Sequence, residues 1–355
     1  MESSDSRLQD LFNEAAGKFE GLDGDADVRH FEIGGRLIRI RFGDGQIGDL
    51  LTPAINHLAV DELTGKPLTI DVWQSREAPI RLTQDDWRHA VSPLEALGPQ
   101  DFLYCQPDIG MLVLRRGDRA LLCYRDINEV PPWELAIPFR VILNSWFQRD
   151  GAQIIHGAAI SNQQDAIVLA GVGGSGKSST ALSCLTHPGL FFLADDLCLL
   201  SSPGAPMVHS LYNSVKIRRE NLSRFDKFDL PELDHLPFDH GKPTYFLHPR
   251  LRHKLAVKKP LRAILLPRIT NQTETRIRLG SAQDAWRALV PSTFAVVLGD
   301  RSVTAKHIAK LTQSLPVFWL ELGTGHDQIS QCIAEFLANL DASTDLPVPP
   351  FAPHE

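Results

Sequence analysis

Eight consecutive residues, Gly171-Val172-Gly173-Gly174-Ser175-Gly176-Lys177-Ser178, match the G-x-x-x-x-G-K-[ST] pattern of a phosphate-binding loop. The chemistry dictates the spacing. Glycines let successive backbone N–H groups turn inward onto phosphate oxygens without Cβ clashes. A helix starting after the loop adds the positive end of its dipole. In such a loop the lysine, here Lys177, reaches the β- and γ-phosphates, and the serine, here Ser178, offers its hydroxyl to Mg²⁺. Gly171, Gly173, Gly174, Ser175, Gly176, Lys177, Ser178 and Ser179 are therefore the expected nucleotide-binding residues, with ATP and Mg²⁺ as the expected ligands.

Two further features bear on the reaction. Phe191-Phe192-Leu193-Ala194 is an apolar run that ends in two carboxylates, Asp195 and Asp196. A buried strand ending in Asp places an acid beside the nucleotide's metal. With two acids, one can stand near the metal while the other accepts a proton from an incoming hydroxyl. Upstream, Ile154-Ile155-His156-Gly157-Ala158-Ala159 sets a histidine in a strand-like stretch, 21 residues before Lys177. A histidine in such a run is commonly a structural residue, but its place just ahead of the loop raises the odds of a functional one.

His-Gly, then the loop, then Ala-Asp-Asp resembles the core of the HPr kinase/phosphorylase family, well over roughly 150–200 and loosely over 200–270. Those proteins are bacterial serine kinases whose P-loop fold is related to that of phosphoenolpyruvate carboxykinase. The resemblance implies an α/β fold, a P-loop kinase core of HPr-kinase type with a mixed sheet; residues 1–150 ahead of it, which do not share the resemblance, mix strand and helix signals and read as an α+β segment. The resemblance also implies that Lys177 and Ser178 bind phosphate and metal, that Asp196 is the base on the acceptor hydroxyl, that His156 supports it, and that Asp195 lies near the metal or orients His156. The chain also departs from the family. Val172 stands where the family loop carries an acid, and the family's Glu-x-Arg-Gly signature is not recognisable, its nearest counterpart being Ile217-Arg218-Arg219-Glu220-Asn221. It looks more like the shorter, diverged HPr-kinase-like proteins of proteobacteria, some of which phosphorylate a serine of a precursor peptide. The implied partner is a protein or peptide serine; a homo-oligomer is compatible with this.

The flanking elements must hold these groups in place. The run 166–170 has the apolar character of a buried strand and Ser179 onward that of a helix. With strands expected at 153–160, 190–194 and 261–266, the alternation predicts βαβ units and a parallel sheet. A helix at 282–289, a strand at 317–322 and an amphipathic helix at 327–340 complete a domain spanning about 151–340. The proline-rich stretch 341–355 is expected to be a disordered tail. Residues 1–150 form an N-terminal segment expected to recognise the acceptor at a domain junction. Its strands are expected at 31–33, 37–42 and 68–73, with a hairpin of 111–114 on 120–124 and a helix over 133–146 that Pro138 kinks or delays. No motif in it suggests chemistry.

Charge and composition exclude some classes. A net charge of −7 argues against nucleic-acid binding driven by bulk electrostatics. No apolar run approaches the ~18 residues of a membrane-spanning helix, and the first residues lack the pattern of a secretory signal. The five cysteines fit no zinc or disulfide spacing and read as free thiols of a cytoplasmic protein. Absence of Leu-Ser-Gly-Gly-Gln and Asn-Lys-x-Asp segments sets aside transport ATPases and GTPases. A nucleotide-binding regulator without transfer activity and a small-molecule kinase stay open beside the protein kinase. The irregular 228–260, with Arg250, Arg252, His253, Lys254, Lys258 and Lys259, reads equally as a substrate loop supplying cations to the transferred phosphoryl group or as a solvated surface loop; Arg218, Arg219 and Lys242 are further cationic candidates.

Overall fold

A computed structural model describes residues 4–22, 24–77, 79–84, 86, 101–201, 204–218, 232–233, 243–270 and 272–342. Their strands form two large mixed sheets and one small one. The first sheet holds β1 (Asp27–Ile33), β2 (Arg36–Phe42), β3 (Leu68–Gln74), β4 (Phe102–Gln106), β5 (Met111–Arg116) and β6 (Arg119–Tyr124), in the order β1-β2-β3-β6-β5-β4. Gly34 and Gly35 close the β1–β2 hairpin with positive φ at both positions, the backbone a tight two-residue turn demands. Helix α1 (Ser4–Glu20) lies on one face of this sheet, burying Leu8, Leu11, Phe12, Ala15 and Phe19 against Trp73, Leu103, Leu114 and Leu121. That spacing is one helical stripe. The alternate residues Val72, Ala120, Leu122 and Tyr124 point to the other face and share a core with the second half of the chain, including Ile154, Leu199, Tyr212 and Phe246.

The second sheet begins with β7 (Ala152–His156), β8 (Ala158–Ser161), β9 (Ala166–Leu169), β10 (Phe191–Ala194), β11 (Leu197–Ser201) and β12 (Met207–His209). Outside it, β13 (Ser214–Lys216), β14 (Glu232–Leu233) and β15 (Thr244–Phe246) make the small sheet. The large sheet is completed by the long β16 (Lys258–Ile269), β17 (Arg276–Leu279) and β18 (Val317–Leu322). Its order is β10-β8-β9-β16-β12-β11-β7, with β18 on β16 and β17 on β18. The parallel sheet expected from the alternation does not form; the sheet is mixed, as the resemblance implied. β9 pairs in parallel with β16, and β16 with β18, but β8 is antiparallel to both its neighbours and separates β9 from β10.

Helices cover both faces. The helices after α1 are α2 (Gly45–Leu51), α3 (Pro132–Ala136), α4 (Arg140–Arg149), α5 (Lys177–Leu185), α6 (Ala282–Val296), α7 (Arg301–Ser314) and α8 (His326–Ala342). Leu182 and Leu185 of α5 pack with Ile329, Ile333 and Leu337 of α8 beneath β9 and β16. Leu289 of α6 and Ile308 and Leu311 of α7 cover the other face.

Two expected elements are divided. The stretch 153–160 is two strands broken at Gly157, where a Cβ would come within 3.1 Å of the Leu169 carbonyl oxygen. The stretch 133–146 is two helices. Pro138 cannot continue the first, and Phe139 at φ 61° starts the second in a new direction. Helices α1 and α7, the end of α4 beyond 146 and strand β4 lie outside the elements expected from the sequence. Of the proline-rich stretch, 343–355 lies outside the described residues, and 341–342 end α8.

Asp71, fully buried in the first sheet, ties sheet and helix together. Its carboxylate accepts from Arg41 Nε at 2.5 Å and Arg119 Nε at 2.7 Å, and both guanidinium groups also reach Glu20 at the end of α1. Removing one partner from a buried ion network leaves the others uncompensated. We expect Asp71→Asn to lower stability by about 3 kcal/mol, read as a shift of the urea midpoint at neutral pH. An unmoved midpoint would show the network to be energetically idle.

Candidate functional site

β9 is wholly buried, and Ala170 continues it by donating its N–H to the Leu265 carbonyl at 2.9 Å. The chain then turns through Gly171–Gly176 into α5. Gly176 caps that helix at φ 105°, and a Cβ there would lie 2.4 Å from Leu322 Cδ1, so only glycine fits. At Gly173 and Gly174 a Cβ would meet nothing within 4 Å. Those positions face open space, the room that a phosphate chain requires. No side chain caps the first turn of α5, which leaves its N–H groups and positive dipole end for an anion. Lys177 folds back over the loop, its Nζ donating to the carbonyls of Gly171 at 2.6 Å and Val172 at 3.2 Å.

The acids separate at a strained turn. Asp196 has φ 70°, a left-handed backbone uncommon outside glycine, and the Leu197 N–H closes onto the Asp195 carbonyl at 2.8 Å. The consequence is that consecutive carboxylates point to different partners. Asp195, buried, accepts from the Ser178 hydroxyl at 2.9 Å. Asp196 has its Oδ1 3.3 Å from His156 Nε2 and its Oδ2 2.6 Å from Lys216 Nζ. His156 reaches this place because it ends β7, whose ladder with β11 sets it opposite Leu197, the first residue past the acids. The Gly157 N–H donates to the Asp196 carbonyl at 3.1 Å and fixes the two strand ends together. His156 also donates its backbone N–H to Thr293 Oγ1 of α6 at 3.2 Å.

The two carboxyls differ in proton affinity. Burial raises the Asp195 carboxyl, and the charge of Asp196 raises it further, against the Ser178 hydrogen bond. Burial alone would raise Asp196 too. The hydrogen bond from His156 and the charge and hydrogen bond of Lys216 together outweigh it and hold Asp196 below the usual carboxylate range.

These groups line one cleft of about 1080 Å³. Gly173, Gly174, Gly176, Lys177, Ser178, Ser179, His156, Asp195 and Asp196 all border it. Gly171 and Ser175 do not; a Cβ on Gly171 would strike Ser175 Oγ at 2.6 Å, so they shape the loop from behind. Among the described residues no group of three or more His, Cys, Asp or Glu could hold a metal. The pair formed by Ser178 Oγ and Asp195 nonetheless fits Mg²⁺, which takes one or two protein oxygens and completes its shell with phosphate and water.

Some of the cleft was not legible beforehand. Lys216 ends β13, a three-residue strand too short for a periodic signal, and is not among the cationic candidates that the sequence offers. Of those, Arg218 lines the cleft. Arg219 and Lys242 lie outside the described residues, as do Glu220 and Asn221. The basic stretch is elsewhere. Lys254 donates to the carbonyls of His187 at 2.6 Å and Leu190 at 3.3 Å, and Lys259 donates to that of Gln163. Both therefore stand where β9 and β10 begin, whereas the loop follows the end of β9. The N-terminal segment, which showed no chemical motif, supplies Tyr104, Gln106, Trp133, Ile137 and Arg140 to the cleft lining.

Because Lys216 lowers the proton affinity of Asp196, Lys216→Met should raise the Asp196 pKa. Carboxyl carbon NMR through an acid titration reads this directly. A midpoint that stays in place would show that the ammonium does not act on the carboxylate in solution.

No family model matches the chain, and no curated protein matches it. A solved structure, the Hpr(Ser) kinase/phosphatase from Coxiella burnetii, is similar over 53% of this chain and 99% of that chain, at 9% identity and a TM-score of 0.30. It is the residues of the cleft, rather than that likeness, that bear on what the chain does.

Proposed function

We propose that the chain is an ATP- and Mg²⁺-dependent kinase that transfers the γ-phosphoryl group to a hydroxyl, the acceptor being a serine of a protein or peptide. The observation that carries this is the division of the acid pair: Asp195 on the Ser178 hydroxyl, Asp196 on His156 and Lys216, both in the cleft bordered by the glycine loop. A nucleotide-binding site needs only the first half of that arrangement. The second half is a proton acceptor with its own orienting partners.

In this reading the loop amides, the start of α5 and Lys177 hold the phosphates. Bound Mg²⁺, held by Ser178 and Asp195, would neutralise charge on the β- and γ-phosphates. The acceptor oxygen attacks the γ-phosphorus in line, the bond to the β,γ-bridging oxygen breaks, ADP leaves, and the hydroxyl proton passes to Asp196. With its proton affinity depressed, Asp196 is ionised at neutral pH and ready to accept. Lys216 has a second part. Once phosphate oxygens compete for its ammonium, its grip on Asp196 loosens and the carboxylate becomes a stronger base as transfer begins.

Asp196→Asn should keep Mg-ATP binding and lose transfer by about a thousandfold, and Lys177→Ala should weaken binding as well. Label from γ-³²P-ATP on serine-containing peptides, with the phosphate increment in intact mass, measures both. Undiminished transfer by Asp196→Asn would remove the base assignment. Mg-ATP binding by the native chain with no label on any peptide or small alcohol would favour a nucleotide-binding regulator.

A further inference from the structure

The cleft holds a cation whose surroundings the phosphate site does not account for. Arg140, the first residue of α4, borders the cleft with a side chain 17% exposed. Its Nη2 stands 3.7 Å from Glu134 Oε2, too far for a hydrogen bond. Its buried Nε has no hydrogen-bond partner among the described residues, and neither has Glu134 Oε2. The Tyr124 hydroxyl donates to the other Glu134 oxygen at 3.4 Å. A largely desolvated guanidinium with an unmet N–H is costly, and the near carboxylate does not meet it although a small shift would allow the bond. The arrangement suits a guanidinium held ready for a planar anion arriving from the cleft. Tyr104 and Trp133, bordering the same cleft, add aromatic surface of the kind that seats an organic ligand rather than a bare ion.

We infer that Arg140 binds a carboxylate of the acceptor, so that the preferred substrate carries a carboxylate close to its reacting hydroxyl. This rests on the kinase reading above for the identity of the acceptor. The donor's phosphates already have the loop amides, the helix start and Lys177, all from the P-loop, whereas Arg140, Tyr104 and Trp133 come from the N-terminal half. The carboxylate can belong to a chain terminus or to an acidic side chain, and both present the same planar pair of oxygens.

Four probes separate these: N-acetyl-L-serine, N-acetyl-L-serinamide, and the amidated dipeptides acetyl-Ser-Asp and acetyl-Ser-Asn. Their affinities are measured by calorimetry on the full chain, with and without Mg²⁺ and a non-hydrolysable ATP analogue. We expect at least one carboxylate probe to bind about tenfold tighter than its neutral counterpart. Preference within the first pair names a terminal carboxylate, and preference within the second an acidic side chain. Arg140→Gln should abolish the preference, and Arg140→Lys should restore only part of it because it lacks the fork. Since Arg140→Gln leaves Glu134 buried without its neighbour, Glu134→Gln/Arg140→Gln serves as the variant that keeps the site neutral, with thermal melting as the check on folding. The inference is overturned if the native chain shows no carboxylate preference, if the preference survives in the folded double variant, or if that variant loses affinity for the ATP analogue to the same degree. Failure of the native chain to bind the analogue at all would instead undo the kinase reading, with the carboxylate preference still read from the runs without nucleotide.

Discussion

The site depends on one backbone turn. If Asp196 had ordinary strand geometry, β10 would run on and its successive side chains would alternate between the two faces of the sheet. The left-handed φ of Asp196 breaks that alternation and brings two neighbouring carboxylates into the same cleft with different partners. A non-glycine residue in that conformation costs about 1 kcal/mol or more. What offsets the cost is visible around it: the Gly157 N–H on the Asp196 carbonyl, the Leu197 N–H on the Asp195 carbonyl, and the two side-chain partners of Asp196. Glycine would ease the backbone but remove the carboxylate, so strain and chemistry are tied to one residue.

That turn is positioned by a sheet in which long-range pairing does the work. β9 is held on one side by β8 and on the other by β16, which fixes the level at which the glycine loop leaves the sheet. β7 and β11 fix His156 against the turn from the other direction. The first sheet adds no strand to this one. It contributes through the core it shares with Ile154, Leu199 and Tyr212, and that shared packing brings the 104–140 region to the cleft. The N-terminal half is thereby part of the site's construction.

What the sequence disclosed follows from the range of the interactions involved. The glycine loop was legible because its chemistry is local: eight residues contain both the backbone freedom and the lysine. The acid pair was legible as a pair because an apolar run led into it. That the two acids diverge was not, since a positive φ at an aspartate has no compositional sign. Lys216 and Arg140 could not be recognised from neighbours in the chain. One owes its role to the pairing of β13 with β15, the other to a helix start made by Pro138 and Phe139. The mixed sheet came from the resemblance and not from the alternation, because β8 and β9 form a hairpin whose strands the run of apolar residues does not distinguish from a parallel pair. The basic stretch stayed open between two readings because density of charge says nothing of direction; Lys254 and Lys259 cap carbonyls where β10 and β9 begin, away from the glycine loop.

The Lys216–Asp196 pair links the stability of the cleft to its chemistry. A carboxyl whose proton affinity is lowered by folding contributes stability that is present above the unfolded pKa, about 3.9, and is lost as pH falls through the lower folded value. The nucleotide-free cleft is thus steadied by the same ion pair that makes Asp196 a weak base. A strong base in that position would have to be built without the lysine, leaving a largely covered carboxylate with only His156 to compensate it. In the kinase reading proposed above, pairing Asp196 with a cation that phosphate oxygens can compete for resolves the conflict. On that proposal the acid is compensated in the ligand-free cleft, and its basicity would rise as phosphate oxygens draw Lys216 away.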